Sequence, residues 1–325
     1  MRCTQQQPRA FVLLWTLALL ALAAVVLTGL TRRSAHKAVE AIQAQDELQF
    51  RWTMATTRKL MLARAESLLQ QAERQRHQPI AAIWLDGALG DAQLEIRVAD
   101  EQAKLNVNAL YDAIGPEQTA SQLRQMIKDP TAQVLVELHP DPRLSVQHHE
   151  ASPPATAPTT APSLQPRFRC WSQVVAPDDP AILFQRTGHS VTDEFTCWGN
   201  GKLNLQRASD AALSAALKPQ LSPAGVQTVL RARQQKQSES TDHPIAAASL
   251  SQQDRQALSA ATTSTSSCFS VVIHARMGQR NCYELAIREI DNSSQNDGQS
   301  TTQPSGADNP PQNEEKPDRI RRLVW

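Results

Sequence analysis

The chain has 325 residues, of which 41% are hydrophobic and 20% are charged, enough apolar side chains for one or two globular domains. Its 33 basic and 32 acidic side chains nearly cancel, and the formal net charge is +1. A balance this close to neutral excludes a global field that would attract nucleic acid or anionic lipid. Aromatic residues make up only 4% of the chain, so we expect a mainly aliphatic core.

A run of uncharged, mostly apolar residues begins at Phe11 and ends at Leu30. At about 1.5 Å rise per residue, a helix of this length covers the roughly 30 Å hydrocarbon core of a bilayer. A secretory signal would have a shorter apolar core that ends in a small-residue cleavage site. Ala21, Ala23 and Ala24 resemble such a site, but the apolar run continues beyond them. A cleaved signal and a permanent anchor both remain open at this point.

A long helix is predicted to follow, because residues 31–78 contain neither glycine nor proline and are rich in strong helix formers. Apolar side chains recur on one face of this segment, at Met54, Met61, Ala65, Leu68 and Ala72. Pro79 ends the pattern. The sequence therefore predicts one helix from about Phe11 to His77, and the alternative is an anchor followed by a separate coiled-coil stalk.

Two strand hairpins are predicted after Pro79. The first joins residues 80–85 to residues 93–98 through the turn-forming segment DGALGD. The second covers residues 266–291, with MGQRN as its turn. The residues between the hairpins are expected to be mainly helical, with helices up to about Leu138, near 208–217 and near 222–236.

Two segments have the composition of disordered chain. Residues 145–166 are rich in Pro, Ala and Thr, and residues 292–325 are polar and rich in Pro, although the last six, IRRLVW, either dock or remain free. His148, His149 and Glu150 lie inside the first segment. We do not expect a metal site there, because a mobile loop lacks preorganised ligand geometry.

A repeated phrase marks the predicted helical region. KLNVNAL at 104–110 recurs as KLNLQRA at 202–208, and each copy follows a turn and precedes a helix. Asn106 and Asn204 are suited to accept backbone N–H groups of the next turn, while Leu105 and Leu203 are expected to be buried.

The order of these features resembles a known family. A short basic leader ends at Ala10, directly before Phe11 and the apolar run, as in type IV prepilins. An acidic DE then precedes KLNVNAL, and GNGKLNLQRAS, VLRAR and SSCFSVVIHA follow in that order. This arrangement resembles the K subunit of type II secretion systems, a minor pseudopilin. Two positions depart from the family pattern: Ala10 replaces the usual Gly, and Trp15 occupies the fifth position after the junction, where most prepilins carry Glu.

The resemblance implies an α+β fold, with a long N-terminal transmembrane and stem helix packed on a small antiparallel sheet and a large, mainly helical insert. It implies the following segments: a leader at 1–10, a transmembrane helix at 11–30, a stem helix at 31–78, a pilin-like core at 79–105 and 263–291, an insert at 106–262, and the disordered loop and tail already described.

The resemblance also implies a function. Such a protein is processed between Ala10 and Phe11 by prepilin peptidase and methylated, and it stays in the inner membrane with its C-terminal domain in the periplasm. It sits at the tip of a pseudopilus, starts its assembly and supports export of folded proteins. The implied partners are other minor pseudopilins, the major pseudopilin and the inner-membrane secretion platform, with no nucleic acid and no enzymatic activity.

Several residues carry the family motif, and they are polar residues or glycines in the two repeated phrases and beside them: Asp100, Glu101, Lys104, Asn106, Asn108, Gly201, Lys202 and Asn204. The family also makes calcium a possible cofactor. The ligands cannot be matched residue by residue, and Asp193 and Glu194, beside the second phrase, are the candidates.

Four cysteines remain after the leader, and an even number beyond a membrane is typical of disulfides. Three pairings are possible. Neighbouring strand-like segments favour Cys268 with Cys282 and Cys170 with Cys197, and buried reduced thiols are the alternative.

A competing hypothesis is a membrane-anchored helix-hairpin-helix protein that binds DNA, as competence receptors do. Lys202, Arg207, Lys218, Arg231 and Arg233 make residues 202–236 mildly basic. The hairpin KPQLSP, however, has no glycine, and its prolines cannot donate to phosphate. Motifs of hydrolases, zinc proteases, P-loops and redox dithiols are absent from the sequence.

Overall fold

The computed structural model describes residues 7–127, 134–140, 167–177, 186, 190–238, 250–290 and 319–324. The predicted loop at 145–166, with His148, His149 and Glu150, lies outside these ranges, as do residues 292–318 of the predicted tail. The chain divides into two compact units, Met1–Thr56 and Thr57–Trp325.

The helices and strands of the described residues are as follows. The helices are α1 Gln7–Arg76, α2 Val107–Ile114, α3 Pro116–Met126, α4 Asp210–Leu217, α5 Pro223–Ser238 and α6 Gln252–Ala261. The strands are β1 Ala82–Leu89, β2 Ala92–Asp100, β3 Leu105–Asn106, β4 Val134–Val136, β5 Val175–Pro177, β6 Phe195–Thr196, β7 Leu203–Asn204, β8 Thr262–Thr263, β9 Cys268–Met277, β10 Arg280–Glu289 and β11 Arg319–Val324.

Helix α1 is continuous over 70 residues, as the scarcity of helix breakers predicted. It ends at Arg76, and the next residue, His77, has a φ of 54°, which turns the backbone into the left-handed region two residues before Pro79. Within the first unit, every side chain from Phe11 to Leu30 is exposed. This stretch is long and apolar enough to cross a membrane, and no part of it is buried within the protein.

The second unit is built on an antiparallel sheet whose described strands follow the order β1-β2-β9-β10-β11. Strand β9 lies at the centre, where Ile273 is opposite Ile96 in β2 and opposite Glu284 in β10. All ten residues of β9 except Arg276, His274 and Met277 are buried. Because side chains alternate between the two faces of a strand, this pattern means that both faces of the sheet are covered.

One face of the sheet packs against the last turns of α1. Arg58 forms an ion pair with Glu284 in β10, and Arg288 donates to the backbone oxygen of Leu62 at 3.3 Å. The helix buries Leu62, Ala65 and Leu69 in this region. Ala65 of the predicted stripe is therefore buried, but Met61 and Leu68 are only half-buried, and their neighbours Leu62 and Leu69 are buried in their place.

The opposite face of the sheet packs against the segment between β2 and β9, residues 101–267, which contains the insert predicted at 106–262. Val272, Leu285 and Ile287 share a core there with α2, α3 and the segment around Trp171. A second core, built around Leu213, Leu217 and Val229, joins α4, α5 and α6. The predicted α+β class, with its long helix, antiparallel sheet and mainly helical insert, is confirmed.

Two predicted segments need correction. The helical stretch to Leu138 ends at Met126, and residues 134–136 instead form strand β4, which pairs with β5. Residues 319–324 of the predicted disordered tail form β11, which pairs with β10 and places Arg321 opposite Ile287. Backbone hydrogen bonding along the open edge of β10 accounts for this pairing, which composition alone does not reveal.

Candidate functional site: a buried polar network between sheet, helix and insert

The polar residues of the first repeated phrase converge where β2 ends and the insert begins. Asp100 and Glu101 are adjacent, and neither side chain is exposed to solvent. They extend in different directions: Asp100 contacts groups near α1 and the second phrase, and Glu101 contacts groups between the sheet and the insert. A single turn of 3-10 helix at Glu101–Ala103 then leads into β3.

The Asp100 carboxylate accepts four hydrogen bonds. Its Oδ1 accepts the backbone N–H of Gln102 at 2.9 Å and so caps the 3-10 turn. Its Oδ2 accepts Asn204 Nδ2 at 3.3 Å, Arg207 Nη1 at 3.2 Å and the hydroxyl of Ser266. Burial raises the pKa of Asp100 above its ordinary value, and the Ser266 hydrogen bond and the Arg207 charge oppose that rise.

Arg207 connects this carboxylate to helix α1. Its Nε and Nη2 donate to the two carboxylate oxygens of Glu73 at 2.7 and 2.9 Å, a bidentate pair. The Arg207 side chain is 9% exposed, so these bonds lie mostly out of water. One guanidinium thus joins α1, the end of β2 and the second repeated phrase, a role that its position in the sequence does not indicate.

Glu101 and Lys104 form the second half of the network. Lys104 Nζ donates to Glu101 Oε1 at 2.5 Å, and the hydroxyls of Ser270 and Thr196 donate to the same carboxylate. Burial lowers the pKa of Lys104, and the charge of Glu101 opposes this. The ammonium also lies 5.6 Å from the centroid of the Trp171 ring. These contacts hold the insert against the face of β9 that carries Ser270, opposite the face that packs on α1.

The two repeated phrases have the same local structure. Each LN pair forms a two-residue parallel strand: β3 pairs with β6, and β7 pairs with β8. Asn106 caps α2 by accepting the backbone N–H of Ala109 at 3.0 Å. Asn204 accepts the backbone N–H of Gln206 at 2.9 Å. Both asparagines therefore accept backbone N–H groups as expected, although the cap of α4 is Ser209 and not Asn204.

The other motif residues shape the backbone. Asn108 donates to the backbone oxygens of Phe168 and Cys197, both at 3.0 Å, and accepts the N–H of Phe168 at 2.8 Å. Gly201 has a φ of 80°, and a Cβ atom there would lie 3.2 Å from the Cβ of Ala109. Lys202 is exposed; its backbone oxygen accepts Gln102 Nε2 at 3.5 Å, and its backbone N–H donates to Asn200 Oδ1 at 3.0 Å.

The calcium candidates Asp193 and Glu194 serve different protein partners. Asp193 forms an ion pair with the buried Arg97 of β2 and accepts the backbone N–H of Ser190 at 3.0 Å. Glu194 accepts the hydroxyl of Ser209 at 2.7 Å. In the part of the chain that the structure describes, no group of three or more His, Cys, Asp or Glu side chains has an arrangement that could hold a metal ion.

In the part of the chain that the structure describes, the four cysteines after the leader are not joined by disulfides. In the β9–β10 register, Cys282 lies opposite Ala275 and Cys268 lies opposite Glu289. Seven residues of strand separate Cys268 from Ala275, which amounts to about 23 Å at 3.3 Å per residue. A disulfide needs Cα atoms within about 7 Å, so the predicted pairing of Cys268 with Cys282 is wrong.

The residues of the predicted processing site lie at the start of α1. Ala10 is the fourth residue of the helix. The rings of Phe11 and Trp15 lie one turn apart, with centroids 6.5 Å from each other, and both side chains are more than half exposed.

The helix-hairpin-helix hypothesis fails at the place where phosphate would bind. Helices α4 and α5 form such a pair, but the carboxylate of Asp254 occupies the N-terminus of α5, where it accepts the backbone N–H and the hydroxyl of Ser222, both at 3.0 Å. A phosphate there would meet a negative charge. Arg233, one of the predicted basic residues, is buried and paired with Asp210 at 2.9 Å.

No known family model matches the chain, and no curated protein matches it. Among solved structures, a chain of the complex titled "The Crystal Structure of the GspK-GspI-GspJ complex from enterotoxigenic Escherichia coli Type 2 Secretion System" is similar over 77% of this chain and 94% of its own length. The sequence identity is 13% and the TM-score is 0.37. A TM-score below 0.5 does not define a common fold, so the fold is assigned from the chain's own helices and strands.

Proposed function

We propose that the protein is a minor pseudopilin of a type II secretion system, located at the tip of the pseudopilus, where it starts assembly and supports export of folded proteins. The observation that carries this proposal is helix α1. Its first part is an exposed apolar segment that starts at Phe11, directly after a short basic leader, and the same helix continues without a break to Arg76. In pilin-like proteins one such helix is both the membrane anchor and the assembly stem.

Trp15 supports the position at the tip. In this class of assemblies, the glutamate usual at the fifth position is understood to neutralise the amino terminus of the next subunit while the helices meet in the membrane, where low dielectric strengthens an ion pair. An indole ring carries no charge and cannot do this. A subunit with Trp15 therefore gains nothing from having another subunit above it.

The size of the second unit supports the same position. A compact unit of residues 57–325 has an expected radius of gyration of about 18 Å, which is bulky for the repeating subunit of a thin fibre. The network around Asp100 and Glu101 joins the described part of the insert to the sheet and to α1. A bulky domain is tolerated best at the end of a fibre.

Processing is the first test of the proposal. We expect prepilin peptidase to cut between Ala10 and Phe11 and to methylate the new terminus, leaving the helix in the inner membrane and the second unit in the periplasm. Intact-mass measurement of detergent-extracted protein distinguishes this from the alternatives. A chain that begins at Met1, or near Val25, would contradict the pseudopilin assignment.

The second test concerns partners and position. The full-length protein, extracted in detergent, should co-purify with the minor pseudopilins encoded with it, and its removal should abolish fibre initiation and secretion. Trp15→Glu should raise the number of copies per fibre, because the variant can accept a subunit above it; Trp15→Phe, which adds no charge, should not. Normal secretion without the protein, or the same copy number for both variants, would refute the role at the tip.

A further inference from the structure

Two segments of the insert that are separate in sequence run side by side. Trp198 Nε1 donates to the backbone oxygen of Arg169 at 3.0 Å, and Trp171 Nε1 donates to the backbone oxygen of Phe195 at 3.4 Å. The rings of Trp171 and Trp198 are in edge contact, with centroids 4.5 Å apart. Asn108 bridges the same segments through the backbone oxygens of Phe168 and Cys197. Contacts on both sides therefore hold residues 168–171 against residues 195–198.

A cysteine lies in each of these segments. Cys170 is flanked by Arg169 and Trp171, and Cys197 precedes Trp198, so the residues beside each cysteine contact the other segment. Cys197 is 1% exposed, whereas Cys170 is half-buried and its Sγ lies 3.1 Å from the hydroxyl of Ser172. The two thiols are close enough for the charge of one to raise the pKa of the other, in addition to the larger effect of burial on Cys197.

We propose that Cys170 and Cys197 form a disulfide that ties the segment carrying Trp171 to β6. The geometry needs little change, because neighbouring contacts already hold the two backbones together. The presence of this bond in the cell rests on the proposed function, which puts these residues in the oxidising periplasm. The ability of the folded chain to form it does not.

The reaction needs a disulfide as oxidant, and glutathione disulfide is the probe. The half-buried thiolate of Cys170 attacks one sulfur of the probe and releases one glutathione thiolate, which leaves a mixed disulfide on Cys170. The thiolate of Cys197 then attacks the Cys170 sulfur and releases the second glutathione. Two electrons pass from the cysteines to the probe, and the two thiol protons pass to the two glutathione thiolates.

The test uses the full-length protein in detergent. The folded chain is equilibrated with glutathione disulfide, its free thiols are alkylated, and its peptides are mapped without reduction. We expect a peptide that links Cys170 to Cys197. In the Cys282→Ser control the link should form equally well, because Cys282 lies in β10 on the sheet. In Cys170→Ser, Cys197 should be alkylated only after unfolding.

Two outcomes would overturn the pairing: Cys170 and Cys197 both alkylated after oxidation, or Cys197 linked to Cys268. Cys268→Ala distinguishes the second outcome, since it should leave the proposed link unchanged. A bond that forms with the probe but is absent from protein extracted directly from cells leaves the pairing intact. That result would count against the periplasmic location instead.

Discussion

Replacing Arg207 with methionine tests whether the polar network holds the second unit together. The substitution keeps much of the side-chain volume and removes three charge-assisted hydrogen bonds, at 2.7 and 2.9 Å to Glu73 and at 3.2 Å to Asp100. Each such bond is worth about 1.5–3 kcal/mol when both partners stay out of water. Glu73 is 22% exposed and can turn towards solvent, so the loss of its two hydrogen bonds lowers the unfolding free energy by less than this.

The larger cost comes from Asp100, which has no exposed surface and loses Arg207, the cationic group with which it pairs among the described residues. Breaking a buried ion pair from one side typically costs about 3–5 kcal/mol. Because the N–H of Gln102, the amide of Asn204 and the hydroxyl of Ser266 still donate to Asp100, we expect the lower end, about 3 kcal/mol of unfolding free energy at pH 7.

The pH dependence gives this prediction a distinctive signature. Asp100 has a raised pKa, so the folded state holds its proton more tightly than the unfolded state, and its contribution to stability falls as pH rises from the unfolded value of about 3.9 through the folded pKa. Loss of the Arg207 charge raises the folded pKa further. The variant should therefore be close to wild type near pH 4 and lose stability progressively towards neutrality.

Urea unfolding of a chain without residues 1–33, followed by tryptophan fluorescence at pH 4 and pH 7, measures both effects. Arg186→Met is the matched control, because Arg186 also makes a bidentate pair, at 2.6 and 2.9 Å to Asp86, but on the surface. It should leave the unfolding midpoint unchanged. A loss in Arg207→Met no larger than in this control, or a loss independent of pH, would refute the reasoning.

Three further predictions concern the same unit. Glu101→Gln should lower the unfolding free energy by about 3–5 kcal/mol, because it leaves the Lys104 ammonium buried and unpaired. The double variant with Lys104→Met should regain most of that stability, and a double variant whose loss in urea unfolding equals the sum of the two single losses would contradict this. Gly201→Ala should cost about 1–3 kcal/mol, since its φ is 80° and α2 lies close by, whereas Gly87→Ala, which meets nothing within 4 Å, should be nearly neutral; equal melting temperatures would be evidence against it. The hydrogen bonds to Asp254 lower its pKa in the folded state. The stability that its carboxylate contributes is therefore fully present above the unfolded pKa and is lost as the pH falls through the folded pKa. Asp254→Asn should make the unfolding free energy less dependent on pH in the acid range, and an unchanged pH dependence would exclude this role.

The sequence predicted those helices, turns and caps that depend only on residues close to them in the chain. Residues 31–76 form part of one helix because nothing in them breaks a helix, and Pro79 follows its end. The two hairpins follow from alternating apolar residues around turns at Gly90 and Gly278, both of which have positive φ. The capping role of Asn106 follows from its residue type and its place before a helix.

The hydrogen-bond partners in the polar network could not be predicted from neighbouring residues in the same way. Glu73 and Asp100 are 27 positions apart, and Arg207 lies more than 100 positions beyond them, so only the packing of the insert brings the three together. Charged residues on a helix or after a turn are usually solvated, and nothing in their spacing distinguishes these. A Lys–Glu pair at three residues, as in Lys104 and Glu101, is equally common on exposed helices.

The register between neighbouring strands could not be predicted from the sequence either. Cys268 and Cys282 lie on adjacent strands, as predicted, but the tight turn at Gly278 sets which residues face each other, and it places Ala275 opposite Cys282. Strand β11 is also a matter of partners: RIRRLV alternates only weakly and pairs because the edge of β10 accepts it. Neither result depends on composition.

The separation of β2 from β9 has a consequence for synthesis. These neighbouring strands are about 170 residues apart in the chain, so at a translation rate of about 5–20 residues per second β2 is made roughly 10–35 s before its central partner. During that interval the edge of β2 is open to pairing with other chains. Arg97, a charge between the apolar Ile96 and Val98 of this strand, is expected to disfavour such pairing. Once the insert has folded, Asp193 neutralises the same guanidinium, and the charge that disfavours aggregation of the nascent chain then joins the insert to the sheet of the folded protein.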